Sequence, residues 1–193
     1  MNEHIEIEYK ILLDENTFYW ILQDYQSLIQ RDYIQVNYYF TNTILQQKKY
    51  MLRIREKDNS FELTLKRPIK NHRLETNVLL TPEEKDDFFS HRPITNEIID
   101  LLKEDNINPL ELENQFSLKT HRYDIILPEG ILSLDENTYC QKHDYELEFE
   151  VKDEQEGYQQ FLNIIHQYGL DYTKNCPSKI QRVLASGFVE KSV

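Results

Sequence analysis

The sequence contains few glycines, few cysteines and no long apolar run, and each shortage excludes a class of protein. Its four isolated glycines exclude a Walker loop and a GxGxxG fingerprint, so nucleotide binding by those two routes is not expected. The two cysteines, Cys140 and Cys176, lack CxxC spacing and are expected to be bystanders. Six scattered histidines without an HExxH pattern are expected at the surface. No apolar stretch approaches the roughly 20 residues that a membrane-spanning helix needs.

Basic residues are also outnumbered, with 22 Lys and Arg against 34 Asp and Glu and a net charge of −12. This balance disfavours nonspecific attraction to nucleic acid or to an anionic membrane. Any anion site must therefore be a local concentration of basic side chains. The acidic start, MNEHIEIEYK, does not have the basic and then apolar order of a secretory signal. We expect a cytoplasmic protein with reduced thiols and with no nucleic-acid or membrane partner.

Strand-like alternation runs through a chain that is rich in tyrosine and phenylalanine, with 13 and 9 residues. No Pro-, Gly- or Ser-rich linker divides the 193 residues, so one domain over residues 1–193 is expected. The predicted strands lie at about 3–12, 35–41, 50–57, 61–67, 72–80, 115–127, 131–136 and 145–152, with a short strand-like segment at 171–174. The predicted helices include one that buries Phe18, Ile21, Leu22 and Tyr25, others over about 81–91, 96–105 and 154–168, and a last one that follows Cys176-Pro177-Ser178-Lys179 and ends at about Gly187. The helix over 81–91 is predicted to start with a capping Thr81, followed by Pro82 and, three residues after the cap, by Glu84.

Charged side chains alternate with apolar ones along these strands. Because successive side chains in a strand point to opposite faces, Glu6, Glu8 and Lys10 share one face while Ile7 and Tyr9 share the other. The same parity in the other strands extends the ionic face to Arg53, Arg55, Lys66, Glu75, Arg122, Asp135, Glu146, Glu148 and Glu150. The pattern predicts a long antiparallel sheet. Helices are expected to cover its apolar face, and the opposite face is expected to be almost entirely charged.

This ionic face has two interpretations. It is a solvated face held by cross-strand ion pairs, as antiparallel sheets commonly have, or it lines an interior if the sheet curls closed. In an interior, the acids and bases must pair or hold ions. Glu75 has its own alternative, a structural ion pair with an arginine.

The types of charge on this face predict its ligands. Grouped carboxylates without matching His or Cys select hard divalent cations such as Mg²⁺ or Mn²⁺. Arginine and lysine suit phosphate oxygens, arginine through its planar fork and lysine as a point charge. A site with both kinds of group is what phosphoryl transfer requires, so the natural ligand is a polyphosphate compound.

The ordered motifs also resemble a known family. Glu6-Ile7-Glu8-Tyr9-Lys10 is similar to the ExExK signature of the CYTH proteins, the triphosphate tunnel metalloenzymes. Further matches follow in that family's order, at Arg53-Ile54-Arg55, Thr64-Leu65-Lys66, Arg122, Asp135, Glu146-Leu147-Glu148-Phe149-Glu150 and Ser178-Lys179. The resemblance covers nearly the whole chain and is greatest to the Bacillus-type bacterial members. It implies an α+β fold, a closed eight-stranded antiparallel β-barrel (a tunnel) with a charged interior and helices packed on the outside.

The resemblance also implies roles for individual residues. Those expected to bind metal are Glu6, Glu8, Glu148 and Glu150, supported by Asp135, with Glu146 able to replace one of them. Those expected to contact phosphate are Arg53, Arg55, Lys66, Arg122 and Lys179. Lys10 is expected near the attacked phosphorus or its attacking water, and Glu8 and Glu150 are expected to act with it in catalysis. Some relatives pair this lysine with a tyrosine, for which Tyr38 and Tyr39 are the candidates.

The predicted function is that of a metal-dependent phosphohydrolase. It would cleave the terminal phosphoryl group of inorganic triphosphate or of another triphosphorylated compound, by water attack and with Mg²⁺ or Mn²⁺. Two alternatives stay open at this point, an adenylate cyclase of the class IV type and a noncatalytic sensor that binds nucleotide or polyphosphate. The sequence does not indicate the physiological substrate, the preferred metal or the oligomeric state.

Overall fold

The computed structural model describes residues 2–186, which contain nine strands and six α-helices. The strands are β1 (Asn2–Glu6), β2 (Glu8–Leu13), β3 (Arg31–Thr41), β4 (Met51–Lys57), β5 (Ser60–Ile69), β6 (His72–Leu80), β7 (Glu113–Ile126), β8 (Gly130–Tyr139) and β9 (Lys142–Val151). The helices are α1 (Glu15–Tyr25), α2 (Thr43–Lys48), α3 (Pro82–Phe89), α4 (Glu97–Glu104), α5 (Glu154–His166) and α6 (Lys179–Ala185). No helix within residues 2–186 is both long enough and apolar enough to cross a membrane.

All nine strands belong to one sheet, in the order β1-β6-β5-β4-β3-β7-β8-β9-β2. The pairs β3–β4, β4–β5, β5–β6, β7–β8, β8–β9 and β2–β9 are antiparallel. Only Ile7 separates β1 from β2, although these strands stand at the two ends of the order. The fold is therefore the predicted antiparallel barrel-like sheet with helices, and it has nine strands in place of eight because the opening strand breaks at Ile7.

The described residues divide into two compact units. Unit 1 contains residues 2–5, 35–118 and 183–186, and unit 2 contains residues 6–34 and 119–182. Strands β3 and β7 each contribute residues to both units. The expectation of a single domain over residues 1–193 stays a prediction.

Unit 1 packs helices against the apolar face of β4 and β5. Leu52 and Ile54 of β4 are buried, as are the alternate residues Leu63 and Leu65 of β5, and they share a core with Ile98 of α4. Helix α3 begins with the predicted capping box, in which the Thr81 and Glu84 side chains each accept a hydrogen bond from the other residue's backbone N–H.

The sequence did not predict helix α2, which has only six residues. Its N-cap is Asn42, whose side-chain oxygen accepts a hydrogen bond from the Leu45 amide at 2.8 Å. It ends at Lys49, which has a left-handed backbone conformation with φ of 57°. Because Leu45 is the one buried side chain in this helix, the sequence has no apolar periodicity there.

Unit 2 packs α1 and α5 against β7, β8, β9 and β2. Its core contains Leu134 of β8, Phe149 of β9 and Phe161 of α5. The Tyr9 ring stacks on Phe161 with centroids 5.5 Å apart, so the apolar face of β2 lies beneath α5 as predicted.

The predicted strand-like segment at 171–174 is not a strand in the structure. Side-chain bonds of Asn175 hold the neighbouring chain at the edge of β2, since Asn175 accepts from the Lys10 amide at 2.8 Å and donates to the Glu8 carbonyl at 2.9 Å. The Cys176 amide also donates to the Lys10 carbonyl. The predicted end of the last helix, Gly187, lies outside the described residues.

Buried neutral residues are interspersed among the charged ones, contrary to the expectation of a nearly wholly ionic face. Thr120 donates to Asn137 at 2.8 Å, and Ser133 donates to Asp124 at 2.8 Å. The parity argument assigned faces correctly but omitted these short polar side chains. Each of these two hydrogen bonds joins β7 to β8 and satisfies polar atoms away from water.

A substitution at Gly157 tests the packing of α5 on β9. A methyl group at this buried helical position would lie only 2.4–2.6 Å from the side-chain carbons of Val151. Gly→Ala at an exposed helical site usually stabilises by about 1 kcal/mol, but we expect Gly157→Ala to destabilise by about 1–3 kcal/mol through overpacking. Urea unfolding of this variant beside Gln159→Ala, at an exposed α5 position, measures the difference. A stabilised Gly157→Ala protein would contradict the described packing.

Candidate functional site

The antiparallel register of unit 2 places five of the predicted site residues on one face. Arg122 pairs with Asp135, and Asp135 pairs with Glu146. Two residues further along β9, Glu148 pairs with Lys10 of β2. Directly opposed residues in an antiparallel pair project to the same side of the sheet, so the parity inferred from the sequence brings these side chains together.

The carboxylates of Asp135, Glu146 and Glu148 form a compact group, here called the acidic cluster. One oxygen from each lies within 4.8 Å of the others. Asp135 and Glu146 have side chains with 0% exposure, and Glu148 has 15%. Three buried carboxylates at this separation require cations, because an uncompensated charge in the interior is costly.

Arg122 supplies one of these cations. Its Nε donates to Asp135 Oδ1 at 2.6 Å and its Nη2 donates to Asp135 Oδ2 at 2.5 Å, a two-point interaction that fixes the guanidinium plane. The same Nη2 also contacts Glu148.

Lys179, at the start of α6, supplies a second cation. Its Nζ lies 2.8 Å from Asp135, 2.8 Å from Glu146 and 2.7 Å from Glu148. The ammonium group therefore contacts all three carboxylates of the acidic cluster. The sequence predicted Lys179 as a phosphate contact and gave no indication of this position.

The sequence analysis did not include Arg182 or Asp144 among the site residues. Arg182 Nε donates to Asp144 at 2.9 Å, and its Nη2 donates to Glu146 at 2.8 Å. Asp144 also accepts from Tyr139 at 2.6 Å. The sequence carried a signal for both, since Arg182 is three residues after Lys179 in a helix and Asp144 is two residues before Glu146 in a strand.

These contacts shift the pKa values of Glu148, Asp135 and Lys179 in the direction that favours their charged forms. Burial acts to raise the pKa of Glu148, but Lys179, Arg122 and Lys10 hold it well below its ordinary value. Asp135 shows the same balance, with its pKa lowered by Arg122 and Lys179 against burial. Burial acts to lower the pKa of Lys179, and the three carboxylates raise it well above the ordinary value.

Lys10 is buried beside these acids. Its Nζ lies 2.5 Å from a carboxylate oxygen of Glu8. Burial lowers the pKa of the Lys10 ammonium, but Glu8, Glu148 and Glu146 together raise it above its ordinary value. The neighbouring carboxylates therefore favour the charged form of Lys10.

The remaining predicted metal ligands of unit 2 lie outside the acidic cluster. Glu8 is paired with Lys10 and stands opposite Glu150 in the β2–β9 register. Glu150 is exposed, whereas Glu6 is buried at the end of β1. The roles of Glu6, Glu8 and Glu150 stay predictions.

In unit 1, Lys66 has a close acidic partner. Its Nζ lies 2.6 Å from Glu75, which also accepts from Asn77 at 2.9 Å. Burial acts to raise the pKa of Glu75, but Lys66 and Arg53 lower it from 4.5 to about 2. The close partner of Glu75 is thus a lysine, and its alternative interpretation as a structural ion pair with an arginine stays a prediction.

The two arginines of β4 share the face of Lys66. Arg53 is buried, and Arg55 donates to Asn37 at 3.3 Å and lies 3.8 Å from Glu62. Tyr39 pairs with Arg53 in the β3–β4 register. Tyr38 projects to the apolar side, where its ring packs against Phe89. Of the two candidate tyrosines, Tyr39 is therefore the one on the charged face.

Replacement of Glu75 by glutamine tests its ion pairs through pH dependence. The folded pKa of Glu75 is below its ordinary value. The stabilising contribution of the Glu75 ion pair is therefore full above about pH 4.5 and is lost as the pH falls toward about 2. We expect Glu75→Gln to lower the free energy of unfolding by about 1–3 kcal/mol at neutral pH. Denaturant unfolding at successively lower pH should show this deficit shrinking. A deficit that does not depend on pH would contradict the ion-pair account.

Comparison with known proteins identifies the family. The CYTH domain family matches residues 4–177, most of the chain, so the protein belongs to the CYTH domain family. This confirms the resemblance inferred from the ordered motifs.

Individual relatives extend the comparison over nearly the whole chain. The Bacillus subtilis protein named "Putative triphosphatase YjbK" is 34% identical over 180 residues, which is 91% of this chain and 93% of that protein. The crystal structure of a "putative adenylate cyclase" from Bacillus halodurans is 33% identical with a TM-score of 0.86, covering 94% of this chain and 98% of that one.

A plant protein shares the fold at lower identity. The structure of a Hippeastrum protein, described as a "putative adenylyl cyclase" with a dominant triphosphatase activity, has a TM-score of 0.77 and 20% identity. It covers 94% of this chain and 96% of that one. At this identity the likeness concerns the fold.

Proposed function

We propose that this protein is a divalent-metal-dependent phosphohydrolase that removes the terminal phosphoryl group of inorganic triphosphate or another triphosphorylated compound. The observation that carries the proposal is the acidic cluster, whose three carboxylates each have one oxygen within 4.8 Å of the others. Lys179 contacts all three carboxylates, and Arg122 contacts those of Asp135 and Glu148. Carboxylates suited to a metal and cations suited to phosphate thus occur at one place. The triphosphatase name of YjbK supports this assignment.

The residues of the cluster fit a hard divalent cation. All three donors are carboxylate oxygens, the ligand type that Mg²⁺ and Mn²⁺ prefer. Asp135, Glu146 and Glu148 would hold the ion, and Glu6, Glu8 and Glu150 are the further ligands proposed from the family motifs. When bound, the metal supplies charge stabilisation at the phosphate oxygens during phosphoryl transfer. The choice between Mg²⁺ and Mn²⁺ is part of the test.

The basic residues would bind and orient the phosphate chain. Arg122 and Lys179 are next to the acidic cluster, and Arg53, Arg55 and Lys66 are proposed as the further contacts. Lys10 contacts Glu8, and nearby carboxylates raise its pKa, so we assign it to charge neutralisation near the attacked phosphorus. Glu8 and Glu150 are the carboxylates proposed to orient the attacking water and to accept its proton. As the water oxygen bonds to the terminal phosphorus, the bond from that phosphorus to its bridging oxygen breaks.

A second candidate function follows from the Bacillus halodurans relative, which is described as a putative adenylate cyclase. In that reaction the ribose 3′ hydroxyl of ATP attacks the α-phosphorus and pyrophosphate leaves. The third possibility, a sensor that binds nucleotide or polyphosphate without turnover, uses the same groups for binding alone.

Product analysis distinguishes these activities. The purified protein is incubated with inorganic triphosphate, ATP or thiamine triphosphate, in EDTA or with Mg²⁺ or Mn²⁺. We expect orthophosphate release that requires metal. Cyclic AMP as the product would replace the hydrolase assignment with the cyclase, and saturable binding without turnover would replace it with the sensor. A cytoplasmic location, which such a substrate would suit, is checked by cell fractionation.

A further inference from the structure

The position of Lys179 places its charge where a metal ion would be bound. Its Nζ is 2.7–2.8 Å from one oxygen of each carboxylate in the acidic cluster. Metal–oxygen distances for Mg²⁺ and Ca²⁺ are about 2.0–2.6 Å, so an ion held by the same oxygens would occupy nearly the same volume. The ammonium group and a divalent ion therefore exclude each other.

The charges around the cluster are already nearly balanced. Four cations in these contacts face five carboxylates, the cations being Lys10, Arg122, Lys179 and Arg182 and the carboxylates Glu8, Asp135, Asp144, Glu146 and Glu148. A divalent ion added to this set without any rearrangement would leave a net positive charge at a buried place. Loss of one cation from the cluster restores the balance.

Lys179 is the cation best suited to leave. Arg122 is fixed by its two-point contact with Asp135. Arg182 is anchored by Asp144 and by the Pro177 carbonyl at 2.7 Å. Lysine has a flexible four-carbon stem and an ammonium without preferred plane, so it can turn to a new anionic partner at little geometric cost.

We propose that Lys179 is an exchangeable internal cation: it neutralises the acidic cluster before metal binds, and the incoming divalent ion displaces it toward the phosphate groups of the substrate. This inference rests on the metal that the proposed function requires. It gives Lys179 two successive partners, the carboxylates and then phosphate. The release of the lysine would couple metal binding to the formation of the phosphate site.

Replacement of Lys179 by methionine, which is neutral and of similar length, tests the carboxylate and the phosphate partners separately. We expect Lys179→Met to bind Mn²⁺ alone about tenfold more tightly than the wild-type protein, because the ion no longer competes with an ammonium group. The same variant should have a raised KM for triphosphate, because it lacks the phosphate contact. Titration of Mn²⁺ by electron paramagnetic resonance, with no substrate present, measures the affinity. Lys48→Met is the matched control, since Lys48 also pairs with a carboxylate, Asp105, at 2.7 Å.

A second measurement needs no variant. Lys179 has 10% exposure in the structure, and we expect its acetylation rate, followed by peptide mass spectrometry, to rise severalfold when Mn²⁺ is added. The rate at Lys48 should not change. Unchanged or weaker Mn²⁺ binding by Lys179→Met would overturn the exchange, and so would an acetylation rate at Lys179 that does not respond to Mn²⁺.

These outcomes are separate from those of the activity assay. Tighter Mn²⁺ binding by Lys179→Met without any triphosphate hydrolysis by the wild-type protein would leave the exchange standing and remove the proposed function. Metal-dependent hydrolysis by the wild-type protein, together with equal Mn²⁺ affinities of the wild type and Lys179→Met, would remove the exchange and leave the proposed function standing.

Discussion

Glu148→Gln is expected to lower metal-dependent phosphate release from triphosphate by about 100-fold or more. The substitution keeps the size of the side chain and removes one charge from the acidic cluster, where Glu148 contacts both Lys179 and Arg122. A metal ion contributes several kcal/mol of transition-state stabilisation, and about 3 kcal/mol corresponds to that factor. Initial rates at saturating Mn²⁺ and at saturating Mg²⁺ measure the effect.

Glu136→Gln is the control for this variant. Glu136 follows Asp135 in β8 and so projects to the opposite side, where it lies 3.0 Å from His143. Its turnover should match the wild-type value. If Glu148→Gln and Glu136→Gln had the same rate, the acidic cluster would not be the catalytic metal centre.

Arg122→Met is expected to lower the free energy of unfolding by about 3–5 kcal/mol, because it leaves Asp135 and Glu148 without their shared arginine. The expected loss is that for breaking a buried ion pair by removal of one partner. Denaturant unfolding without metal measures it. Arg92→Met provides the matched control, since Arg92 pairs with Asp87 with 58% of its side chain exposed, and its loss should be about 1 kcal/mol or less.

The Arg122→Met deficit should also depend on pH. Arg122 contributes to the lowered pKa values of Asp135 and Glu148 in the folded protein. A lowered folded pKa gives stability that is present above the unfolded pKa and is lost as pH falls through the folded one. The difference between wild type and Arg122→Met should therefore be largest at neutral pH and decrease on acidification. A constant difference would point to lost packing of the arginine side chain instead.

Much of the fold follows from local pattern. Alternation along β4 and β5 identified which face is buried, and the capping residues Thr81 and Glu84 located the start of α3. The break at Ile7 was not predictable, because the opening residues alternate without interruption while their pairing partner changes from β6 to β9. A change of the neighbouring strand depends on the tertiary fold and does not alter the alternation of side chains in the sequence.

The site was predictable to a similar extent. Parity and chain order brought Arg122, Asp135, Glu146 and Glu148 onto one face without any coordinates. The position of Lys179 among three carboxylates depends on how the chain after α5 returns to the sheet, and spacing alone does not determine that path. Charge type thus predicted the ligand chemistry, whereas the pairing within the site required the structure.

The most direct test is a crystal soaked in Mn²⁺ and measured for anomalous scattering. The account predicts one strong peak bonded to carboxylate oxygens of Asp135, Glu146 and Glu148, with the Lys179 ammonium moved away from them. A saturated crystal with no peak at these oxygens, or with its peak on other carboxylates while Lys179 still contacts all three, would contradict it.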